Sequence, residues 1–410
     1  MTNISARCCI AGGGPAGMML GYLLARAGID VIVLEKHGDF LRDFRGDTIH
    51  PSTLEVMHEL GLYDRLLQRP YQPTPKLKGR FGDLQAVFAD FTHLPTRAKF
   101  IAFMPQWDFL DFLATEARKF PSFRLMMRAE VTGLIEENGR VAGVTADTPD
   151  GGADIRSDLV IGCDGRHSTV RSLAGLEVQD LGAPMDVLWF RLSRLPSDPR
   201  ESMGNFVQGS IFVMINRGDY WQCGFVIAKG SLEQARQRGL DAFRRNIESI
   251  VPFMKGRTQE VTGFDDLKLL TVGVDRLKKW HRPGLLCIGD AAHAMSPIGG
   301  VGINLAIQDA VAAANLLAEP LRGGAVNDAD LQRVQDRRES PTRRTQWLQV
   351  ALQNNVIKGV LGGEEALKPP LLLRLIARWP WLARFPARVL GMGFRPEHVD
   401  ATVIAAPARN

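Results

Sequence analysis

Little in this chain of 410 residues offers itself for metal or nucleophilic chemistry. Its five cysteines, Cys8, Cys9, Cys163, Cys223 and Cys287, are odd in number and have no metal-ligand spacing. Most lie in apolar runs that read as strands, so free buried thiols in a reducing, cytoplasmic setting are expected, and no metal site. Patterned charge is scarce too. The 50 basic and 45 acidic residues are spread along the chain and leave a net charge of +5, too dilute for a nucleic-acid surface though favourable to anionic small molecules. One charge-free run, Cys8 to Ala25, follows Arg7 and has the look of a signal peptide or membrane span. Three consecutive glycines and Pro15 in its middle argue against a continuous apolar helix, and no other stretch reads as long enough to cross a bilayer. Hydrophobic residues at 45% and charged residues at 23% suit a soluble globular enzyme, and the length points to two domains or a discontinuous pair.

What is present begins with glycine. Cys8-Cys9-Ile10-Ala11 reads as a strand buried on both faces, Gly12-Gly13-Gly14-Pro15-Ala16-Gly17 as a tight loop, Met18 to Ala27 as a helix closed by Gly28, and Val31 to Leu34 as a second strand ending in Glu35. In such a strand-helix-strand unit Gly12 permits the turn, Gly14 lets a pyrophosphate approach the backbone, and Gly17 lets helix and strand pack closely. Ala16 lies in the same loop, and the pyrophosphate would sit on the positive end of the helix. Glu35 stands 18 residues beyond Gly17, where an acid accepts from ribose hydroxyls and disfavours a 2′-phosphate; Lys36 follows it.

Two further strands end in an acid. Leu159 to Cys163 leads to Asp164-Gly165-Arg166, and Leu285 to Ile288 leads to Gly289-Asp290-Ala291-Ala292-His293. Acids at strand C-terminal ends lie where parallel α/β sheets bind ligands, although each alone reads as readily as a helix N-cap. After Asp290, Gly299, Gly300 and Gly302 precede Ile303-Asn304 and the helical run Leu305 to Ala318. Backbone N–H groups at that helix start form an anion site. His293 reads as a structural hydrogen-bonder.

In this order the motifs resemble those of the single-component flavoprotein aromatic hydroxylases, the family typified by para-hydroxybenzoate hydroxylase, over roughly residues 5–345. The resemblance implies FAD as cofactor, with NADPH or NADH as a transient co-substrate, since no second glycine fingerprint exists for a nicotinamide nucleotide. It implies that O2 and NAD(P)H hydroxylate an aromatic or quinone-like ring through a flavin C4a-hydroperoxide, the cofactor carrying the chemistry. The catalytic residue is left open. Carried over by position, Asp290 holds the ribityl chain and Asp164 with Gly165 supports the pyrophosphate. Arg45 lies beside the flavin, Gln106 touches the cofactor, Val131 meets the adenine through its backbone, and Gly302 and Asn304 line the anionic edge of the ring.

The implied fold is α/β: a Rossmann-like FAD-binding domain (1–75, 98–175 and 281–345), an antiparallel-sheet substrate domain (76–97 and 176–280) and a helical C-terminal segment (346–410). Alternating runs at Val187 to Leu192, Gly209 to Ile215 and Trp221 to Ala228 read as the substrate sheet. They make Arg191, Asn216, Trp221, Gln222 and Phe225 candidates for substrate contact, of which only half can face inward. His50 and His93 are weaker candidates for an acid or base. The tail carries Arg374 and Arg378 on an apolar helix and reads as packed on its own domain with arginines snorkelling, rather than lying on a membrane. A monomer or homodimer is expected.

Three other readings share these motifs: a flavin-dependent reductase of isoprenoid or lipid double bonds, a non-catalytic protein binding FAD and an aromatic ligand, and a flavin-dependent halogenase. The halogenase tryptophan motif is incomplete at Tyr220 to Ile227, where its second tryptophan and following proline are missing.

Overall fold

A computed structural model describes residues 2–41, 48–324, 326–362 and 367–404. Arg45 lies outside them. Five parallel strands run side by side in the order Leu285–Cys287, Gly151–Gly162, Thr2–Ala11, Val31–Glu35 and Phe123–Met127. By chain position this order is 5-4-1-2-3, the doubly wound arrangement whose direction reverses beside the first strand. The apolar ends of these strands are fully buried, as runs covered on both faces must be. Helix Pro15–Arg26 covers one part of the sheet and packs on the long helix Gly302–Gly323. Glu130–Glu137 and Arg140–Thr148 add an antiparallel hairpin to Gly151–Gly162.

A second, seven-stranded sheet has the order Lys268–Leu270, Met185–Ser193, Tyr220–Ala228, Ser210–Asn216, Met203–Val207, Lys76–Phe81 and Leu84–Asp90. Its two faces bury different cores. Alternation sends Leu188, Phe190, Phe212, Trp221, Cys223 and Phe225 to one face, where helix Leu240–Ile250 covers them. Val187, Ile211 and Val226 go to the other face, which packs with Ile298 and with Ile357 and Val360 of the C-terminal segment.

All five cysteines are free and buried. Burial pushes the Cys9 thiol up to about 12 and raises the other four as well, so none is a thiolate at neutral pH.

One helix, Ile298–Gly323, does reach the length and apolarity of a bilayer span, a stretch the sequence reading passed over. Of its most apolar window, 83% is buried inside the protein, between the fingerprint helix and helix Asp328–Leu352. It is a core helix.

Candidate active site

The three sequence motifs, far apart in the chain, meet at the C-terminal ends of the parallel strands. Gly12 adopts a φ of 107°, and a Cβ there would run into the Cys163 carbonyl and approach the Asp164 Cα to 2.8 Å, so the first motif lies against the second. Gly289 has a φ of 60°, and a Cβ there would lie 3.1 Å from that of Ala16, so the third motif lies against the first. Arg166 closes the triangle by donating to Asp290 across 3.5 Å.

Around this junction are the features a dinucleotide needs. Gly14 begins helix Pro15–Arg26 in an extended conformation, no side chain caps the helix start, and a Cβ built at Gly14 meets nothing within 4 Å. That is an open cradle over a helix N-terminus. Asp164 uses Oδ2 to accept from the Val170 N–H at 3.0 Å, beside the Ser168 cap of the same helix, while its Oδ1 is buried without a hydrogen-bond partner. A buried acceptor left unmade carries a desolvation cost, which a donor on a bound ligand removes. Glu35 accepts from Gly13 N–H and His37 N–H, each at 3.0 Å, so it braces the glycine loop. Ala129 N–H donates to the Glu35 carbonyl at 2.9 Å, which sets Val131 beside the end of the second strand, and Lys36 pairs with Glu130 at 3.7 Å. Gln106 opens helix Gln106–Ala117, which packs on the fingerprint helix. These residues fit FAD: the open cradle would take a pyrophosphate, and the acids would receive hydroxyl donors.

The glycine turn before the long core helix lies beside this junction. Gly299 and Gly300 hold φ of 77° and 62°, and Gly302 starts the helix. Asn304 is buried, and its side chain is taken up within the protein. Its Oδ1 accepts from His50 N–H at 3.0 Å and from the Thr53 hydroxyl at 2.6 Å, and its Nδ2 reaches the carbonyls of Thr48 and Gly300. Only its backbone remains for a cofactor. His50 is fully buried with Nδ1 2.7 Å from the Leu390 carbonyl. Burial lowers its pKa to about 4 against the opposing pull of the Leu390 and Gly299 backbone, so it is neutral at pH 7. It serves as a tether for the turn. His93 is exposed in a short turn, Phe91–His93.

A buried ionic cluster that sequence reasoning missed supports this end of the site. Asp309 accepts from Gly289 N–H at 3.0 Å, from His293 Nε2 at 2.6 Å and from Arg338 Nε at 2.9 Å. Arg338 also donates to Glu397 at 3.0 Å, and Arg337 to the same carboxylate. A signal was available: Asp309 is the only charged residue between Val301 and Ala318. His293 has the structural role expected of it.

The second sheet divides the substrate candidates between its two faces. Trp221 and Phe225 point to the helix-covered face; Trp221 donates to Asp198 at 2.9 Å, and Phe225 packs on Phe243. Alternation places both on the face that the apolar side of helix Leu240–Ile250 covers. Asn216 is buried and donates to the Arg200 carbonyl. Gln222 and Arg191 are cross-strand partners, which puts them on the face shared with Ile298. Gln222 accepts from Arg217 at 3.0 Å, and Arg191 lies over the Tyr220 ring.

The sequence matches the profile of the FAD-binding-domain family over residues 5–347. The chain belongs to this family of flavoprotein monooxygenases. Among its relatives, the 6-methylpretetramide 4-monooxygenase of Streptomyces rimosus is 32% identical over 377 residues, which is 91% of this chain and 89% of that protein. A rifampicin monooxygenase of Streptomyces venezuelae is 30% identical over 73% of this chain and 61% of its own length. Among solved structures, the anhydrotetracycline hydroxylase of S. rimosus superposes with a TM-score of 0.73 at 21% identity, over 95% of this chain and 76% of that one. The p-nitrophenol 4-monooxygenase of Pseudomonas putida gives 0.72 at 21% identity, over 96% and 100%. The chain is thus an FAD-dependent monooxygenase, an oxidoreductase, and the fold is that of the flavoprotein aromatic hydroxylases.

Proposed function

We propose that this monooxygenase hydroxylates a large, flat, polycyclic aromatic or quinone-like compound bound between the second sheet and the Ile298–Gly300 turn. One observation carries the reading. Cross-strand register aligns Trp189, Gly224, Val213, Gly204, Gly79 and Ala86 in a single row across the sheet, on the face shared with Ile298. The missing side chains leave room for aromatic rings on this face. Trp189 covers Gly224, with its ring 2.9 Å from where a Cβ would stand, Phe88 covers Gly79 in the same way, and Phe206 leans on Gly204. A floor of aromatic side chains, with Phe88 edge-on to Phe206, suits a planar ring system, which gains stacked or edge-to-face contacts beyond its area of burial. The two relatives described above act, by their names, on 6-methylpretetramide and on rifampicin.

FAD held by the Gly14 cradle and the acids around it would supply the hydride-accepting and O2-activating chemistry. The chain's own part is to bind, orient and shelter. The Gly14 cradle and helix start fix the pyrophosphate, and Asp164, Asp290 and Glu35 receive hydroxyl or amide donors. The N–H groups at the start of helix Gly302–Gly323 favour negative charge on the ring edge they face, by about 0.3–1 kcal/mol. The aromatic floor orients the substrate and keeps water away.

The test is NAD(P)H oxidation by the yellow protein with a graded series of phenols of one to four fused rings. Stimulation should rise with ring count. Gly224→Val, which displaces the Trp189 ring, should raise KM for the best compound about tenfold while FAD content stays unchanged. Stimulation by single-ring phenols alone would refute the proposed substrate class.

A further inference from the structure

The C-terminal segment presents a surface that neither the cofactor site nor the substrate floor uses. Helix Leu371–Arg378 packs inward through Ile376 and Leu373, against strand Leu84–Asp90 and its neighbours. After the turn Pro380–Ala383, helix Arg384–Met392 packs inward through Ala387 and Gly391. The opposite side faces solvent. It exposes 68% of Leu371, 61% of Leu372, 49% of Trp379, 54% of Trp381 and 63% of Phe385. Single exposed apolar residues are ordinary; five large ones within 15 positions, three of them aromatic, mark an interaction surface.

Charge identifies the partner. From Leu367 to Pro396 there is no aspartate or glutamate, while Lys368, Arg374, Arg378, Arg384, Arg388 and Arg395 supply six cations. Arg374, Arg378, Arg384 and Arg388 are all exposed, and none of the six forms an ion pair among the described residues. Elsewhere the protein pairs its arginines freely, as at Arg337 with Glu397 and Arg124 with Asp30. A second copy set face to face would bring two such cationic surfaces together with no acid between them.

We infer that this face rests on an anionic lipid surface, with Trp379, Trp381, Phe385, Leu371 and Leu372 entering the headgroup layer and the arginines meeting lipid phosphates. Indole and phenyl rings favour the boundary between water and hydrocarbon, and a basic amphipathic helix lies in its plane. Clustered arginines are drawn to acidic headgroups. The helices are far too short to span, so the contact is peripheral.

The test uses the full FAD-loaded chain. At low salt it should sediment with vesicles of phosphatidylcholine mixed with phosphatidylglycerol and stay in solution with phosphatidylcholine alone. Brominated acyl chains should quench tryptophan fluorescence in the native protein and much less in Trp379→Phe/Trp381→Phe. Replacing Arg374, Arg378, Arg384 and Arg388 with glutamine should weaken partitioning at least about a hundredfold, and Trp381→Ala/Phe385→Ala more than about tenfold. Both variants should stay yellow with native NAD(P)H oxidation, which separates loss of binding from loss of fold. Native protein that ignores anionic vesicles overturns the inference, as do variants that bind like the native chain. Self-association abolished by Trp381→Ala/Phe385→Ala, with no vesicle binding, overturns it in favour of a second copy.

Discussion

Gly14→Val should abolish tight FAD binding while leaving the fold intact. Gly14 has φ −73° and ψ −175°, an extended conformation open to any residue, and a Cβ there meets nothing within 4 Å. Within the protein alone, then, valine costs little beyond a poorer helix start, about 1 kcal/mol at most. The space it fills is the cradle over the first turn of helix Pro15–Arg26, where a pyrophosphate would reach the backbone. Losing two charge-assisted hydrogen bonds removes about 3 kcal/mol or more, which weakens the affinity at least about a hundredfold. Flavin fluorescence titration reads the affinity, and circular dichroism with urea unfolding of the apoprotein reads the fold. Gly12→Val provides the contrast. Its φ is 107° and its Cβ would collide with the Cys163 carbonyl, so that variant should lose the fold itself. A Gly14→Val protein that binds FAD as the native does would remove the pyrophosphate from this loop.

Asp309→Ala should destabilise the FAD-bound protein by about 3–5 kcal/mol, because it removes one partner from a fully buried ionic cluster. Arg338 keeps Glu397, but the Gly289 N–H and His293 lose their acceptor. The Gly289–Asp290 turn then loosens, so FAD affinity should fall along with stability. Asp309→Asn, which keeps the shape and one acceptor, should cost less. The pH dependence follows from the direction of the shift. Burial alone pushes the Asp309 carboxyl up, yet His293 and Arg338 outweigh it and hold the carboxyl below the usual carboxylate range. A depressed carboxylate contributes stability that is complete above the unfolded-chain value near pH ~4 and is lost as pH falls through the lower folded value. Urea midpoints should therefore drop below pH ~4 in the native protein, and that part of the drop should be missing in Asp309→Asn. Identical acid limbs in the two proteins would show that the cluster is not ionic.

The nucleotide-binding half of the molecule was legible because its constraints are local. Gly12 to Gly17, Glu35, Asp164 and Asp290 sit at strand ends, where chain direction and spacing bring them together. The convergence of the three motifs, seen in the contacts of Gly12 with Cys163 and of Gly289 with Ala16, followed from their placement at the ends of parallel strands. The substrate face was not legible, because it depends on which alternate residues point where. Trp221 and Phe225 have the size expected of a substrate wall, yet the sheet turns them toward helix Leu240–Ile250, an amphipathic partner distant in sequence. The row through Gly224, Gly204 and Gly79 exists only once four strands are in register, so no local pattern announces it. The Asp309 cluster is intermediate: a lone charge in an apolar helix is visible, but its partners Arg338 and Glu397 come from 29 and 88 residues away along the chain. Asn304 shows a different limit. Its position beside the glycine turn was readable, whereas the commitment of its side chain to His50 and Thr53 was not.

The most direct test of the whole account is isotopic. The yellow protein is supplied with NAD(P)H, labelled dioxygen (18O2) and the polycyclic phenol that best stimulates its oxidation, and the organic product is examined by mass spectrometry. The account predicts one labelled oxygen atom in each hydroxylated product, formed in step with the NAD(P)H consumed. Unlabelled product, or NAD(P)H consumption that yields only hydrogen peroxide with every ring compound, would contradict it.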